Sequence, residues 1–340
     1  MRCAVRIMPT VRVLSLLSLL LLYGGVASGQ GRPTVVERGP APIFTSGVDM
    51  VTINVAVRDG RGRVVRGLDA SHFRLIDSGF GRPIDSVFPS DAALRIAVLV
   101  DVSGSMAIDH NIDRAWRAVA TIVDTLQSGR DELALFTFDT VLREVVPFTT
   151  ELDRFDDLTE KGTEKPYGKT SLYDAVADTA TLVGQFGSSH HALLVLTDGV
   201  DTGSRRTAEE VSRVASEVSV PVHLLTVGGV LDRRDGAGGA GGADSAALTA
   251  TLADLARWTG GSVRATSTGE DVREALAHML EGLRYQYVVT FKPGFRRGWH
   301  PIRIRMSDND WAVQARSGYV AGRARLNRRR HTLLEEEPCG

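Results

Sequence analysis

The folded part of the chain opens with a period of two. Val51, Ile53, Val55 and Val57 alternate with Thr52, Asn54 and Ala56, the pattern of a strand buried on one face. Asp59-Gly60-Arg61-Gly62 reads as a turn, Val64-Val65 as the start of a return strand, and the stretches from Phe73 to Ile76 and from Ile84 to Phe88 as two more strands. Residues 44–90 therefore read as all-β. At Leu94 the pattern changes. Leu94 to Val100 is an apolar run broken only by Arg95, and His191 to Thr197 is a second, as expected for strands covered on both faces. Elsewhere the spacing is helical. Ile112, Trp116, Val119, Ile122, Val123 and Leu126 form one stripe, with Gly129 as a candidate cap. Leu172, Ala175, Val176, Thr179 and Val183 form another. Thr207 and Glu210 have the spacing of a capping box opening a helix through Val218. Helices are also expected from Leu248 to Trp258, ended by Gly260-Gly261, and from Asp271 to Leu283. Strands are expected at Leu133 to Phe138, Val141 to Val146, Val220 to Val227 and Ser262 to Thr266.

Strands alternating with helices over residues 94–283 predict an α/β fold with a doubly wound, mostly parallel, Rossmann-like sheet. From Tyr285 the period of two returns. Tyr285 to Phe291 is a strand candidate, Ile302, Ile304 and Met306 alternate with Arg303 and Arg305, and Trp311, Val313 and Ala315 alternate with polar or small residues. The two β segments, 44–90 and 285–320, each offer few strands. The expectation is one small β-sandwich built from both, with the α/β domain inserted between them, because the ends of such domains usually lie close together.

The N-terminus adds a targeting signal. Arg2, Arg6 and Arg12 precede an apolar stretch from Val13 to Tyr23, too short to span a bilayer comfortably, and Val26-Ala27-Ser28-Gly29 supplies small residues for cleavage. Residues 1–29 thus read as a signal peptide and 30–43 as a Gly/Pro-rich linker. Export follows, to the periplasm, the cell envelope or the medium, with no transmembrane segment expected after the signal is removed. Residues 229–245 read as a flexible loop, and 321–340, a basic run followed by Glu335-Glu336-Glu337, as a disordered tail. Cys3 and Cys339 are the two cysteines of the chain, so the mature core is expected to hold without an internal disulfide. The net charge of -1, which becomes -4 when the three signal arginines are lost, argues against a nucleic-acid partner.

The candidate chemistry lies in Asp101-Val102-Ser103-Gly104-Ser105, where the first α/β strand meets its helix. Ligands of open parallel sheets bind at the carboxyl ends of strands. A tight loop turns the alternating Asp101, Ser103 and Ser105 toward one point, and such hard oxygens suit Mg²⁺, Mn²⁺ or Ca²⁺ rather than zinc. Thr170, just before a helix, and Asp198, just after a buried strand, arrive at the same sheet edge. An Asp near Ser and Gly at a strand end also serves as a plain helix-capping turn; Thr170 and Asp198 in register set this loop apart. Asp201 and Ser204 read as turn residues, Asp109, Asp113 and Asp174 as caps or solvated groups, and Trp116 as core. His190 and His191 face opposite sides of a strand and make a poor metal pair.

With these motifs the sequence resembles the von Willebrand factor A (VWA) fold and its metal-ion-dependent adhesion site over residues 94–283. Across residues 44–320 it is similar to exported bacterial proteins in which β segments flank a related A domain. The resemblance implies that Ser103, Ser105 and Thr170 contact the metal directly and that Asp101 and Asp198 act largely through water. Mg²⁺ is the first expectation. The partner is an unknown protein offering an Asp or Glu carboxylate, for recognition or adhesion and without catalysis. One departure is Lys169, where a Gly commonly precedes the Thr. Two alternatives stand beside this reading: a structural envelope module without a working metal site, and an enzyme with Asp101 as phosphoryl acceptor. The second is disfavoured, because position 103 is Ser where a second acid is commonly needed and none of Lys161, Lys165, Lys169 and Lys292 ends a core strand.

Overall fold

A computed structural model describes residues 50–161, 165–186, 190–199, 201–228 and 251–321. The expected signal peptide, linker and 229–245 loop lie outside the described residues, as does the expected tail except for Ala321. Among the described residues no helix is long and apolar enough to cross a membrane.

The chain begins with β1 (Val51–Arg58), β2 (Phe73–Asp77), β3 (Phe80–Arg82) and β4 (Ser86–Ser90). An α/β unit follows: β5 (Arg95–Asp101), α1 (Asn111–Thr125), β6 (Glu132–Phe138), β7 (Leu142–Thr149), α2 (Asp156–Lys161), α3 (Leu172–Gly184), β8 (His191–Thr197), α4 (Ala208–Glu217), β9 (Val222–Val227), α5 (described over 251–259), β10 (Val263–Thr266) and α6 (Gly269–Arg284). The chain returns to β structure with β11 (Gln286–Phe291), β12 (Gly298–Met306), β13 (Ala312–Gln314) and β14 (Gly318–Ala321).

The α/β sheet runs β10-β9-β8-β5-β6-β7, parallel except for the edge strand β7. The apolar run of β5 serves two cores at once. Ile96, Val98 and Val100 pack against α1 and α6 through Trp116, Val119, Leu276 and Met279. Ala97 and Leu99 face α3, α4 and α5 through Leu172, Val176, Val211 and Leu255. The expected doubly wound sheet is therefore present. The Thr207 capping box forms as the spacing predicts, with the Thr207 hydroxyl accepting from Glu210 N–H and the Glu210 carboxylate accepting from Thr207 N–H.

The flanking β segments interleave. One sheet is ordered β13-β1-β11-β4 and the other β14-β12-β2-β3, so each contains strands from both sides of the α/β unit. Ile53, Val55, Val57, Phe73, Leu75, Val289, Phe291 and Ile302 share one core between the sheets. Some sequence expectations shift. Val64 makes a single bridge to Arg58 instead of starting a strand, because the Asp59 carboxylate takes the N–H groups of Arg61 and Arg63 and closes the turn locally. Gly129 does not cap α1. The helix stops when Leu126 turns extended, and Gly129 sits in the next turn at φ 76° with its N–H on Thr150 O. The short strands β3 and β14 and the helix α2 carry no periodic signal long enough to read; β14 takes in Ala321, the first residue of the expected tail.

The entrance and exit of the α/β unit are tied at one residue. Asp131, its side chain fully buried, accepts from Leu94 N–H at 3.0 Å and Gln127 N–H at 2.9 Å, and pairs with Arg284 Nη2 at 2.6 Å. Leu94 precedes β5 and Arg284 closes α6. Burial alone pushes the Asp131 carboxyl up, but the Arg284 guanidinium and the two N–H groups outweigh it and hold it below its ordinary value. Removing one partner of such a buried pair costs roughly 3–5 kcal/mol, since the other charge stays behind uncompensated.

Candidate metal centre

β5 and β8 are neighbours, and the chain leaves them for opposite sides of the sheet, to β6 and to β9. That reversal opens a crevice at their carboxyl ends. Asp101 is the last residue of β5 and Asp198 follows the last residue of β8. Asp101, Ser103, Thr170 and Asp198 are all buried, and Ser105 is half-buried.

The Asp101 loop is organised by hydrogen bonds. Asp101 Oδ1 accepts from Ser103 N–H at 2.9 Å, which folds the loop back on the strand end. The Ser103 and Ser105 hydroxyls lie 3.1 Å apart and so face one point. Gly104 N–H donates to Gly168 O at 3.1 Å, and a Cβ on Gly104 would stand 3.3 Å from that oxygen, so a side chain there would crowd the contact. Tyr167 N–H reaches Val102 O at 2.9 Å, docking the segment before α3 onto the loop. Thr170 is laced in turn to the loop after β8. Its N–H donates to Thr202 Oγ1 at 3.0 Å, and its carbonyl accepts from Thr202 and Gly203 N–H, both at 2.9 Å. The three pieces of the motif are thus brought to one place by backbone contacts.

Thr197 is the residue that the sequence analysis passed over. Its hydroxyl donates to Asp101 Oδ2 at 2.6 Å and accepts from Gly199 N–H at 3.0 Å, bridging the two acidic strand ends. Its signal was its place between a buried strand and Asp198. Burial pushes the Asp101 carboxyl up to about 6; hydrogen bonds from Thr197 and Ser103 oppose this, and the neighbouring Asp198 charge adds to the rise. Among the described residues no group of three or more His, Cys, Asp or Glu is placed to hold a metal ion. A set of two carboxylates and three hydroxyls is of another kind, and its all-oxygen chemistry fits a hard divalent cation. The Thr170 hydroxyl makes no hydrogen bond among the described residues, and the hydrogen-bond partners of Asp101 are all neutral.

The other sequence readings fall into place. Asp201 and Ser204 are turn residues: Asp201 accepts from Tyr173 N–H and from the Ser204 hydroxyl and N–H. Asp174 receives Arg205 and Arg206 N–H. Trp116 is core. Lys169 is exposed, on the rim of a cleft of about 650 Å³ that also touches Asp139, Ser171, Asp178 and Arg206. Ile108, Val141 and Tyr167, 58%, 55% and 82% exposed, follow the carboxyl ends of β5 and β6 or dock on the Asp101 loop. Isolated apolar residues in loops gave no warning of this rim.

The family of VWA domain containing CoxE-like proteins matches residues 73–282, well over half of the 340 residues. The chain belongs to that family. Its VWA match begins in β2 and ends in α6. No curated protein matches the chain. Solved structures similar to it include the von Willebrand factor type A protein from Catenulispora acidiphila, at 12% identity and TM-score 0.45, covering 82% of this chain and 76% of that one. An aerotolerance-related membrane protein from Bacteroides fragilis shares 15% identity at TM-score 0.41, covering 55% of this chain and 98% of that one. Proximal thread matrix protein 1 from the mussel byssus, solved with a zinc-occupied MIDAS motif, shares 16% identity at TM-score 0.47, covering 62% of this chain and 50% of its own.

The buried Asp101 carboxyl gives the metal-free protein a pH signature. Its folded value, about 6, lies above the ordinary 3.8, so its ionisation opposes folding by about 3 kcal/mol at pH 7, and that cost fades as pH falls through 6 toward 4. In EDTA at pH 7, Asp101→Asn is expected to be more stable than wild type, with the gap narrowing to about a third at pH 4.5. Urea melts at both pH values check this. Equal stability of the two proteins at pH 7 would contradict it.

Proposed function

We propose that this chain holds a divalent cation, Mg²⁺ before Mn²⁺ or Ca²⁺, at Asp101, Ser103, Ser105, Thr170 and Asp198, and uses it to recognise a carboxylate on a partner protein. The observation that carries the reading is Asp101, a fully buried carboxyl with neutral hydrogen-bond partners and a second acid, Asp198, beside it. A buried carboxylate whose hydrogen bonds come from neutral groups is stabilised by a positive charge placed near it. Asp101 and Asp198 supply two negative charges, and Ser103, Ser105 and Thr170 supply neutral oxygens. A bound cation so surrounded keeps net positive charge and an open position for an anionic oxygen. Thr197 holds Asp101 in place, and the exposed Ile108, Val141 and Tyr167 give a partner apolar area around the charged contact. The cleft beside Lys169 has room for a neighbouring side chain of the partner.

Recognition is favoured over phosphoryl transfer because both Asp101 oxygens are engaged, by Ser103 N–H and by Thr197, and the side chain is buried away from an incoming phosphate. A metal-free structural module is the remaining alternative. Export of the mature protein, starting near Gln30, is part of the proposal and rests on the N-terminal sequence. Mass spectrometry of the secreted or envelope protein finding an intact Met1 would remove it.

The metal reading predicts a graded series in calorimetric titration with Mg²⁺ or Mn²⁺. Ser103→Ala and Thr170→Ala each remove one neutral oxygen and are expected to weaken binding about tenfold. Asp101→Ala removes a charge and is expected to weaken it by a hundredfold or more, on the order of 3 kcal/mol. If wild type takes up no metal, or all three variants match it, the structural-module reading replaces this one.

A further inference from the structure

Between Lys292 and Arg305 the sequence carries Lys292, Arg296, Arg297, Arg303 and Arg305 and no acid. This stretch is the loop after β11 and most of β12. All five cations are exposed, and none makes an ion pair among the described residues. Arg305 stands directly opposite Arg74 of β2, a like-charge cross-strand pair that costs stability. The chain leaves β14 at Ala321, opposite Gly298, and the sequence beyond adds five more arginines before its first acid, Glu335.

Aromatic side chains sit among these charges. Phe295, beside Arg296 and Arg297, is 105% exposed, and Phe80 is 72% exposed. Trp299 is nearly half exposed, and Phe80 follows the Ser78 turn, whose N–H reaches Pro301 O, so both lie at one end of the sandwich. The Phe295 loop is anchored from below. His300 Nε2 donates to Arg296 O at 2.8 Å, and His300 Nδ1 lies 2.9 Å from the buried Asp77 carboxylate. The Tyr319 hydroxyl donates to the same carboxylate at 3.0 Å. Gly294 is packed so closely that a Cβ would come within 2.6 Å of Arg82 Nη2. With Gly294 buried and the Arg296 carbonyl held by His300, Phe295 between them is left projecting into solvent.

We propose that this end of the sandwich docks on an anionic lipid surface, with Phe295 entering the acyl boundary and Lys292, Arg296 and Arg297 engaging headgroup phosphates. Charge complementarity selects the occupant. Lys292, Arg296 and Arg297 are exposed at this end, with Arg303 and Arg305 further along β12, and they outnumber the one exposed acid beside them among the described residues, Asp85, whose N–H donates to Thr290 O. Such an excess of positive charge suits a negative surface. The projecting aromatic selects lipid over nucleic acid, since nucleic-acid sites place their aromatics as platforms in a groove that tracks the backbone. The inference is independent of the metal reading.

The test uses the full chain carrying Phe295→Trp, compared with the same chain without it, so that the four native tryptophans cancel. The probes are vesicles of phosphatidylglycerol or phosphatidylcholine with brominated acyl chains. The new indole is expected to shift to the blue and be quenched in phosphatidylglycerol, less so as salt rises, and not in phosphatidylcholine. Arg296→Gln with Arg297→Gln is expected to weaken the partition at least tenfold, at about fivefold per charge. These positions are exposed, and circular dichroism verifies that the variants fold. An unquenched indole in phosphatidylglycerol overturns the proposal. Equal quenching in both lipids removes the role of the cations. A spectral change with a DNA oligonucleotide but none with vesicles replaces lipid by nucleic acid.

Discussion

The architecture depends on holding the two ends of the α/β unit together, and Asp131 does this. One buried carboxylate takes the backbone of Leu94 at the entrance and the guanidinium of Arg284 at the exit. With those ends joined, β4 and β11 emerge side by side and pair, and β12 reaches β2 across a gap of more than two hundred residues. The sandwich core of Ile53, Val289 and Ile302 is therefore assembled from segments that neither flank could complete alone. Arg58 of β1 reinforces the seam, donating to His278 O and pairing with Glu281 on α6.

The same strands that close the core set the chemistry. β5 and β8 are apolar along their whole length and carry their polar residues only at the ends, so Asp101 and Asp198 arrive where hydrophobic burial stops. The cost of holding Asp101 there is visible in its raised carboxyl. Thr197 and the backbone of Ser103 offset part of that cost with neutral hydrogen bonds.

Much of this was legible in the sequence, for identifiable reasons. β5 and β8 announce themselves because burial on both faces demands unbroken apolar runs. α4 is announced by the Thr207 capping box, and the Asp101 loop by chemistry that an ordinary turn does not need. The interleaved sandwich was legible only as an expectation, since strand partners two hundred residues apart leave no local mark. Thr197 was hidden because a Thr ending a Leu-rich apolar strand needs no special explanation. The Asp77–His300–Tyr319 cluster was hidden because its members come from three strands and meet only in the folded sheet. The return strand at Val64 failed because Asp59 satisfied the local backbone first.

The central claim is that the Asp101 set holds a cation with a position open to a carboxylate. Water-proton relaxation with Mn²⁺ tests it most directly. The account predicts that Mn²⁺ added to the protein enhances relaxation, that an Asp-containing peptide then lowers the enhancement by replacing bound water, and that Thr170→Ala and Asp101→Asn abolish or sharply reduce both effects. Mn²⁺ that fails to bind, or that binds with an enhancement no carboxylate peptide changes, would contradict it.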